Sequence, residues 1–353
     1  MPSPPPPIEL DGSYGEGGGV LLRTALAVSS LTGVPVRVRA IRDATKFPGL
    51  NPEDITLVRT MASLTQAQTE HAELGSSQLL FAPTKRPRPL NERIGVADGD
   101  DGPGFANAPL VALSLMPLLA RSGAYSSFTA VGETYAHNNL SYDYFENVTL
   151  VALRRFGLYA TARQTLAGFG WGARGQLDLE VEPSALEGVQ WDHRGRLLSV
   201  RGVIATGELI RTIGHRGADH LASLADSASL PIEIETVEVP SKGPGAFVTL
   251  CAEFEHGLGG SVAMGQKGVR MEAVVQRAFQ GFMDWYSSTA TCDSHLIDQL
   301  IVPAVFAGGP THLSTHRITP RLLTTVWVVK QFLPLHLTVR GRENEAGTVT
   351  LHR

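Results

Sequence analysis

Cysteine is nearly absent from this chain of 353 residues, which contains only Cys251 and Cys292. Two cysteines do not build a disulfide framework, and this pair lacks the spacing of zinc ligands. Such scarcity is typical of a reducing compartment. The opening Met-Pro-Ser-Pro-Pro-Pro-Pro has neither the basic segment nor the apolar core of a signal peptide. No apolar run approaches the roughly 20 residues that a membrane span needs. We therefore expect a cytoplasmic protein without membrane contact.

The chain also lacks an excess of positive charge. Its 30 Lys and Arg residues against 34 Asp and Glu residues give a formal net charge of -4. No global field attracts nucleic acid, so any such contact depends on a local patch. Lys85, Arg86 and Arg88 form one patch, and the arginines near the C-terminus form another. On charge alone, either patch is interpreted as a solvated surface.

Glycine is concentrated in residues 11–24, Asp-Gly-Ser-Tyr-Gly-Glu-Gly-Gly-Gly-Val-Leu-Leu-Arg-Thr, directly before a helical apolar pattern. Glycines let backbone amides approach a ligand, and the N-terminus of the following helix favours phosphate. The single carboxylate, Glu16, would repel a phosphate unless a divalent cation lay between them. The stretch matches neither a P-loop nor a dinucleotide fingerprint. It predicts a phosphate site of another kind, although a tight turn before a buried helix explains the glycines equally simply.

Strand and helix patterns recur in the order β-α-β-α-β-β, which predicts internal repetition. The first copy has strands at 8–11, 36–41 and twice within 72–82, and helices at 20–31 and 52–67. The second has strands at 93–97, 127–131, 159–166 and 176–181, and helices at 109–120 and 142–156. The third, looser copy has strands at 261–264, 311–318, 335–339 and 348–351, and helices at 270–285, 295–307 and 321–332.

The second and third copies are separated by roughly 75 residues that have their own pattern. This segment contains strands at 197–204, 232–239 and 246–254 and a helix at 217–228. Glycine and proline at its junctions are typical of domain boundaries. We predict an α/β protein of the α+β type, with three βαβαββ units in a large domain at 1–183 and 258–353. The smaller inserted α/β domain is predicted at 184–257.

Several blocks of the chain resemble the RNA 3'-terminal phosphate cyclase family. Residues 11–24 follow that family's opening pattern, Asp-Gly-x-x-Gly-Glu-Gly-Gly-Gly-Gln-Ile-Leu-Arg, except at Val20 and Leu21. Asp-Ser-His-Leu-Ile-Asp-Gln-Leu at 293–300 and Leu-Thr-Thr-Val-Trp-Val-Val-Lys-Gln-Phe-Leu at 323–333 are two further blocks. The resemblance spans nearly the whole chain and implies a fold of three βαβαββ units with an inserted α/β domain.

The resemblance also implies a chemistry. In this family, ATP transfers AMP to an active-site histidine with the help of a divalent metal, Mg or Mn, and pyrophosphate leaves. AMP then passes to an RNA 3'-phosphate, and the adjacent 2'-hydroxyl displaces it to give a 2',3'-cyclic phosphate. Such covalent catalysis divides one difficult step into easier ones. The implied function is that of an ATP-binding, AMP-forming RNA ligase in RNA processing.

Site residues follow from the resemblance by position. Glu16 corresponds to the metal-linked carboxylate, within the ATP-binding stretch that also holds Gly17, Gly18 and Arg23. A second ATP-binding stretch corresponds to His295, Leu296, Ile297, Asp298 and Gln299. Asp298 is expected near the adenylate as a catalytic residue. Without the resemblance, Asp298 and Gln299 are interpreted as the polar face of a helix.

The position of the nucleophile departs from the family pattern. There, Thr-x-His-x-x-Thr-Asn precedes the last apolar helix, and alignment on residues 323–329 places Arg321 at the histidine. Arginine stays protonated and cannot act as a nucleophile. His316, in Thr-His-Arg-Ile-Thr, imitates the motif five residues upstream, and His312 does so less well. Either histidine could serve only if the register shifts, and polar residues on a strand are the simpler interpretation.

Further departures accompany Arg321. The family has Gln-His where this chain has Glu53 and Asp54, and a nucleotide-contacting Gln where it has Leu113. Two functional hypotheses therefore stand together. In the first, the protein is an RNA 3'-phosphate cyclase that uses ATP and a divalent metal. In the second, it is a cyclase-like RNA- or nucleotide-binding protein without adenylyl transfer, in which Arg321 binds phosphate.

Overall fold

The computed structural model describes residues 5–95 and 106–352. The strands of these residues are β1 (Ile8–Asp11), β2 (Val36–Arg39), β3 (Gln68–Glu70), β4 (Leu79–Ala82), β5 (Arg93–Ile94), β6 (Ser126–Gly132), β7 (Ala160–Leu166), β8 (Gly175–Val181), β9 (Leu197–Gly207), β10 (Glu233–Glu238), β11 (Gly245–Phe254), β12 (Gly257–Met264), β13 (Thr311–Thr315), β14 (His336–Arg340) and β15 (Gly347–His352). The helices are α1 (Gly19–Thr32), α2 (Pro52–Thr65), α3 (Ala108–Ala120), α4 (Tyr142–Tyr144), α5 (Leu150–Arg155), α6 (Arg211–Ser227), α7 (Met271–Tyr286), α8 (Leu296–Phe306) and α9 (Pro320–Phe332).

Two sheets have the same topology. The first has the order β1-β2-β4-β3 and the second the order β5-β6-β8-β7. In each sheet the first two strands are parallel and the remaining pairs are antiparallel. A third sheet has the order β13-β15-β14, which matches the order of the last three strands in each of the first two sheets. A parallel bridge joins Cys292 to Thr315 of β13, at the place where the first strand pairs in the other two sheets. The predicted mixed α/β class is confirmed, whereas the number of repeats stays a prediction.

The fourth sheet places two predicted elements differently. It has the order β10-β9-β11-β12, and β12 pairs with β11 from Phe247 opposite Met264 to Phe254 opposite Gly257. Helix α7 packs on β12 and α6 in the apolar cluster of this sheet. The predicted start of the third copy therefore belongs with residues 197–254. Its strand, 261–264, joins their sheet, and its helix, 270–285, packs in their apolar core. Periodicity identifies a strand but does not show which sheet it joins. The domain boundaries at 184 and 257 stay predictions.

Three elements differ locally from their predicted bounds. The predicted helix at 142–156 is interrupted by the π-helical turn Phe145–Thr149 between α4 and α5. The predicted helix at 217–228 begins at Arg211 instead, and a Cβ at Gly217 would lie 2.9 Å from Met271 Cγ. That glycine allows close packing of α6 on α7 rather than marking a helix end. Of the predicted strand 93–97, Arg93–Ile94 is observed and residues 96–97 lie outside the described residues.

Helix ends near the predicted site follow local sequence. The Asn51 side chain accepts a hydrogen bond from the amide of Asp54, which returns one to the amide of Asn51, so that a capping box starts α2. The Thr319 side chain caps α9, where Pro320 occupies the first turn. Gly33, with φ of 74°, ends α1. None of the described helices is long and apolar enough to cross a membrane.

Candidate functional site

The glycine-rich loop of residues 11–19 is held against α9. Gly15 and Gly17 have φ of 68° and 60°, a region that favours glycine. A Cβ at Gly15 would overlap the Thr324 hydroxyl, which accepts a hydrogen bond from the amide of Glu16 at 3.4 Å. The Tyr14 ring stacks on Trp327, with centroids 4.0 Å apart. The N-terminal loop and the C-terminal helix are therefore one structural unit.

Arg23 projects from α1 into a buried ion pair. Its Nη1 lies 3.2 Å from Oε1 of Glu53, and both side chains are about nine-tenths buried. The second carboxylate oxygen of Glu53 accepts a hydrogen bond of 3.1 Å from the amide of Asn107. Burial lowers the pKa of Arg23 and raises that of Glu53, while the attraction between the two charges opposes both shifts.

A second buried pair joins Arg42 to Asp54. Two guanidinium nitrogens of Arg42 donate to the two carboxylate oxygens of Asp54, which is fully buried. Arg42 also donates to the carbonyl of Gly49. A Cβ at Gly19 would lie 2.6 Å from Nη1 of Arg23 and 3.0 Å from Nη2 of Arg42. The absence of a side chain at Gly19 thus leaves room for both guanidinium groups beside the loop.

Arg321 and Asp298 form a third pair, between α9 and α8. Nε of Arg321 lies 3.8 Å from Oδ2 of Asp298, and the carboxylate is 5% exposed. Oδ1 of Asp298 and Nε of Arg321 are buried and have no hydrogen-bond partner among the described residues. Burial raises the pKa of Asp298, and the positive charge of Arg321 opposes this shift. The pair therefore retains unused donor and acceptor capacity for a polar ligand.

These helices enclose a cavity of about 330 Å³. Its wall includes residues from the first turns of α1, α8 and α9, whose N-termini carry partial positive charge. The polar residues that line it are Arg23, Thr24, Ser114, His137, Asn138, Asn139, Ser141, Tyr144, Ser261, Arg277, His295, Asp298, Gln299, Arg321 and Thr325. The apolar ones are Val20, Ala27, Leu110, Leu113, Pro117, Ala136, Leu140, Phe247, Val262, Ala263, Met264, Val302 and Pro303.

The predicted stretch 295–299 divides into two sets in the structure. His295, Asp298 and Gln299 line the cavity, whereas Leu296 and Ile297 are completely buried in the apolar core. The Gln299 side chain accepts a hydrogen bond from Thr149 and donates one to the carbonyl of His295. This division follows from helical geometry, because residues one apart on a helix face different directions.

Glu16, Gly17 and Gly18 do not line the cavity. They form the loop that precedes α1, while Arg23 of the same helix reaches the cavity wall. The charge of Glu16 nevertheless acts on Arg23 and Arg42, where it favours the protonated guanidinium, and on Asp298, where it raises the pKa of the carboxyl. Glu16 therefore lies close enough to the two arginines for its charge to act on both.

Neither alternative nucleophile lines the cavity. His316 is half-buried, burial lowers the pKa of its imidazole, and its Nδ1 has no hydrogen-bond partner in the part of the chain that the structure describes. The Nδ1 atom of His312 lies 2.9 Å from a carboxylate oxygen of Asp192. Arg321, at the position that the family pattern gives to histidine, is part of the cavity wall. The roles assigned to His316 and Arg321 stay predictions, although the cavity favours Arg321 as the ligand contact.

Sequence reasoning missed two cationic or titratable groups of the cavity. His137, in the loop after β6, lies 2.9 Å from the side-chain amide of Gln266. Arg277 reaches the cavity from α7. Neither residue stands in a recognisable motif, and only the packing of β12 and α7 beside the loop after β6 brings them to the site.

A divalent metal fits this site only in part. No group of three or more His, Cys, Asp or Glu side chains that could hold a metal occurs within residues 5–95 and 106–352. Mg²⁺, however, often keeps several waters and binds through one or two carboxylates together with substrate phosphates. Glu16 beside the glycine loop is suited to that arrangement, in which the ligand completes the coordination.

Fold and site thus define a mixed α/β protein with a cavity bordered by arginines and by three helix N-termini. The sequence model of the family described as RNA 3'-terminal phosphate cyclase matches residues 14–339. A protein of Methylococcus capsulatus named RNA 3'-terminal phosphate cyclase is 33% identical over 347 residues, which cover 98% of this chain and 96% of the relative. One of Staphylothermus marinus with the same name is 32% identical, with 98% of each chain covered. This chain belongs to the RNA 3'-terminal phosphate cyclase family.

Proposed function

We propose that the cavity binds ATP and an RNA 3'-phosphate end and that the protein converts this end to a 2',3'-cyclic phosphate. The observation that best supports this proposal is the arrangement of the cavity wall, where Arg23, Arg321 and the first turns of three helices meet. Guanidinium groups and helix N-termini are suited to phosphate oxygens. The names of the similar proteins support the same reaction. A cytoplasmic location and a role in RNA processing remain part of this proposal.

Three residues of the wall and the neighbouring glycine loop have specific tasks in this proposal. Arg23 and Arg321 bind phosphate oxygens, and Asp298 orients Arg321 through their ion pair. The glycine loop allows the phosphates to approach the backbone at the start of α1. Glu16 would hold a divalent ion, Mg or Mn, shared with the phosphates. When bound, that ion would neutralise phosphate charge.

The net reaction balances without a further co-reactant. The RNA 3'-phosphate becomes joined to AMP as pyrophosphate leaves ATP, and the 2'-hydroxyl then attacks that phosphorus as AMP leaves. In the family pattern a histidine carries AMP first. Arg321 cannot take this role because its guanidinium stays protonated, so a carrier would have to be another histidine. His137 and His295 line the cavity, and His316 remains the candidate from the sequence.

A second function is favoured by the Arg321–Asp298 pair. In it, the protein binds a nucleotide or an RNA 3'-phosphate end without adenylyl transfer. A permanently charged arginine suits tight phosphate binding better than covalent turnover. Both functions use the same cavity and differ in whether AMP is transferred and the RNA end is cyclised.

One experiment separates the two functions. The protein is incubated with ATP labelled in the α-phosphate and with Mg²⁺ or Mn²⁺, and covalent label and cyclisation of an RNA 3'-phosphate are measured. Cyclisation supports the first function. Binding without label or cyclisation, together with label in Arg321→His, supports the second. Failure to bind both ATP and the RNA end contradicts both.

Three control variants locate any label found in the unmodified protein. They are His316→Ala, His295→Ala and His137→Ala. Loss of label in a single variant identifies the carrier. Label that persists in all three contradicts the assignment of the carrier to these histidines.

A further inference from the structure

The Arg23 side chain faces the cavity but already has a counter-ion. Its Nη1 lies 3.2 Å from Glu53, and the exposed fractions of the two side chains are 12% and 10%. Glu53 is fixed in turn by the amide of Asn107. The side chain of Asn107 caps α3 and donates to the carbonyl of Leu140, so that the anchor of Glu53 is itself rigidly held.

This arrangement creates a competition for Arg23. A phosphate or other anion in the cavity must share the guanidinium with Glu53 or displace it. Two like charges a few ångströms apart repel strongly where water is scarce. A negatively charged Glu53 therefore weakens the binding of an anion to Arg23, whereas a protonated, neutral Glu53 does not.

Other charges near Glu53 do not relieve this repulsion. On its own helix, Asp54 is adjacent, and it is engaged by Arg42. In the loop after β6, the buried carboxyl of Glu133 is close enough that the charge of Glu53 helps to raise the pKa of Glu133. Arg23 and Arg42 are the cations that favour the charged form of Glu53. Burial acts in the opposite direction and raises the pKa of Glu53.

We propose that Glu53 positions Arg23 and competes with the anionic ligand for it, so that protonation of Glu53 strengthens anion binding. This inference rests on the proposed function only in requiring that an anion binds in the cavity. It makes Glu53 a determinant of affinity that responds to pH. With Glu53 charged, Arg23 is held in place for the ligand but is partly neutralised.

The test compares the unmodified protein with Glu53→Gln by calorimetric titration with sulfate. Sulfate keeps one charge state between about pH 5 and 8, so its own protonation does not contribute. Glutamine keeps the length of the side chain and an acceptor for the Asn107 amide. We expect Glu53→Gln to bind sulfate about tenfold more tightly at pH 8. We expect the ratio of the two dissociation constants to move toward one as the pH falls, because Glu53 then becomes protonated.

The two proteins are compared by the ratio of their dissociation constants because His137 and His295 line the same cavity and can also change sulfate binding with pH. Their protonation affects the unmodified protein and the variant alike. The matched control is Glu233→Gln, which removes one exposed negative charge at the start of β10. It should leave sulfate affinity unchanged at every pH. Glu53→Met, of similar length and without charge, replaces Glu53→Gln if the glutamine variant does not fold.

A double-variant cycle excludes a merely structural effect. In an Arg23→Gln background, Glu53→Gln should no longer tighten sulfate binding, because the shared partner is gone. An equal gain in both backgrounds would overturn the inference, and so would a ratio that stays at one from pH 5 to 8. In those cases anion binding persists and the proposed function stands. If neither sulfate nor ATP binds any of the proteins, the proposed function fails as well.

Discussion

Arg321 lies 3.8 Å from the carboxylate of Asp298, which joins the first turn of α9 to the first turn of α8 at the cavity wall. The family pattern places a nucleophilic histidine at this position. A guanidinium there retains its charge and can bind a phosphate through two parallel hydrogen bonds. The ion pair thus puts a cation at the cavity wall at that position.

Replacing Arg321 by glutamine should weaken ATP binding by about tenfold or more. A hydrogen bond to a charged group contributes about 1.5–3 kcal/mol, and the variant also leaves Asp298 without its cation. Equilibrium dialysis with ATP measures the loss. The control is Lys330→Gln, which removes an exposed charge from the last turn of α9. Equal affinities of the two variants would show that Arg321 does not contact the ligand.

Gly15→Ala should destabilise the protein more than Gly268→Ala. Both glycines have positive φ, but a Cβ at Gly15 would overlap Thr324, whereas a Cβ at Gly268 would have no atom of residues 5–95 or 106–352 within 4 Å. Both variants bear the cost of a left-handed alanine, roughly 1 kcal/mol, and only Gly15→Ala must also move the loop off α9. Urea unfolding measures the difference. Equal losses of stability would mean that the loop moves freely away from Thr324.

Glu133 should make the protein less stable as the pH rises from about 4.5 to 7. Burial raises the pKa of this carboxyl to about 7, and the hydrogen bond from the Gly172 amide opposes the shift. In this window the folded protein keeps a proton that the unfolded chain releases. The unfolded state therefore binds fewer protons, and the free energy of unfolding falls with pH, by up to about 3 kcal/mol.

Urea unfolding at several pH values tests this assignment. Glu133→Gln should flatten the dependence between about pH 4.5 and 7, because the amide does not titrate. The exposed Glu233→Gln serves as the control and should leave the slope in place. If the free energy of unfolding still fell equally steeply with pH in Glu133→Gln, Glu133 would not be the cause of that pH dependence.

Asp54→Asn should be among the most destabilising conservative changes in the chain. Asp54 is fully buried, engages Arg42 through both carboxylate oxygens and completes the capping box of α2. Removing one partner leaves the other charge uncompensated, at a cost of about 3–5 kcal/mol. Glu238→Gln disrupts the exposed pair with Arg211 and should cost less than about 1 kcal/mol. Similar losses in thermal unfolding would contradict the importance of the buried pair.

Local chemistry made part of the fold predictable. The turn at Gly33, Pro52 at the start of α2 and the apolar spacing of α1 mark these elements in the sequence. The interruption of the helix at 142–156 was not predicted, because a π-helical turn has no clear pattern in a single sequence. Gly217 was mistaken for a helix start, since the sequence does not reveal that Met271 lies against it.

Only those residues of the candidate site that belong to sequence motifs could be predicted. The glycine loop, Arg23 and the stretch 295–299 follow from contiguous residues, and the structure brings Arg23, His295, Asp298, Gln299 and Arg321 to one cavity. His137 and Arg277 reach the same cavity without a motif. Their contribution depends on how separate sheets pack, which local periodicity does not encode.

The sequence by itself determined the mixed α/β class and the family, because these depend on residue types in fixed order; that Arg321 replaces the family's histidine stays a prediction. Only the tertiary structure decided which charges are paired. Arg23 with Glu53 and Arg321 with Asp298 are joined across 30 and 23 positions of the chain. Electrostatic energy depends on distance and burial rather than on sequence separation. For that reason the charge pairs beside the cavity appear only in the folded protein.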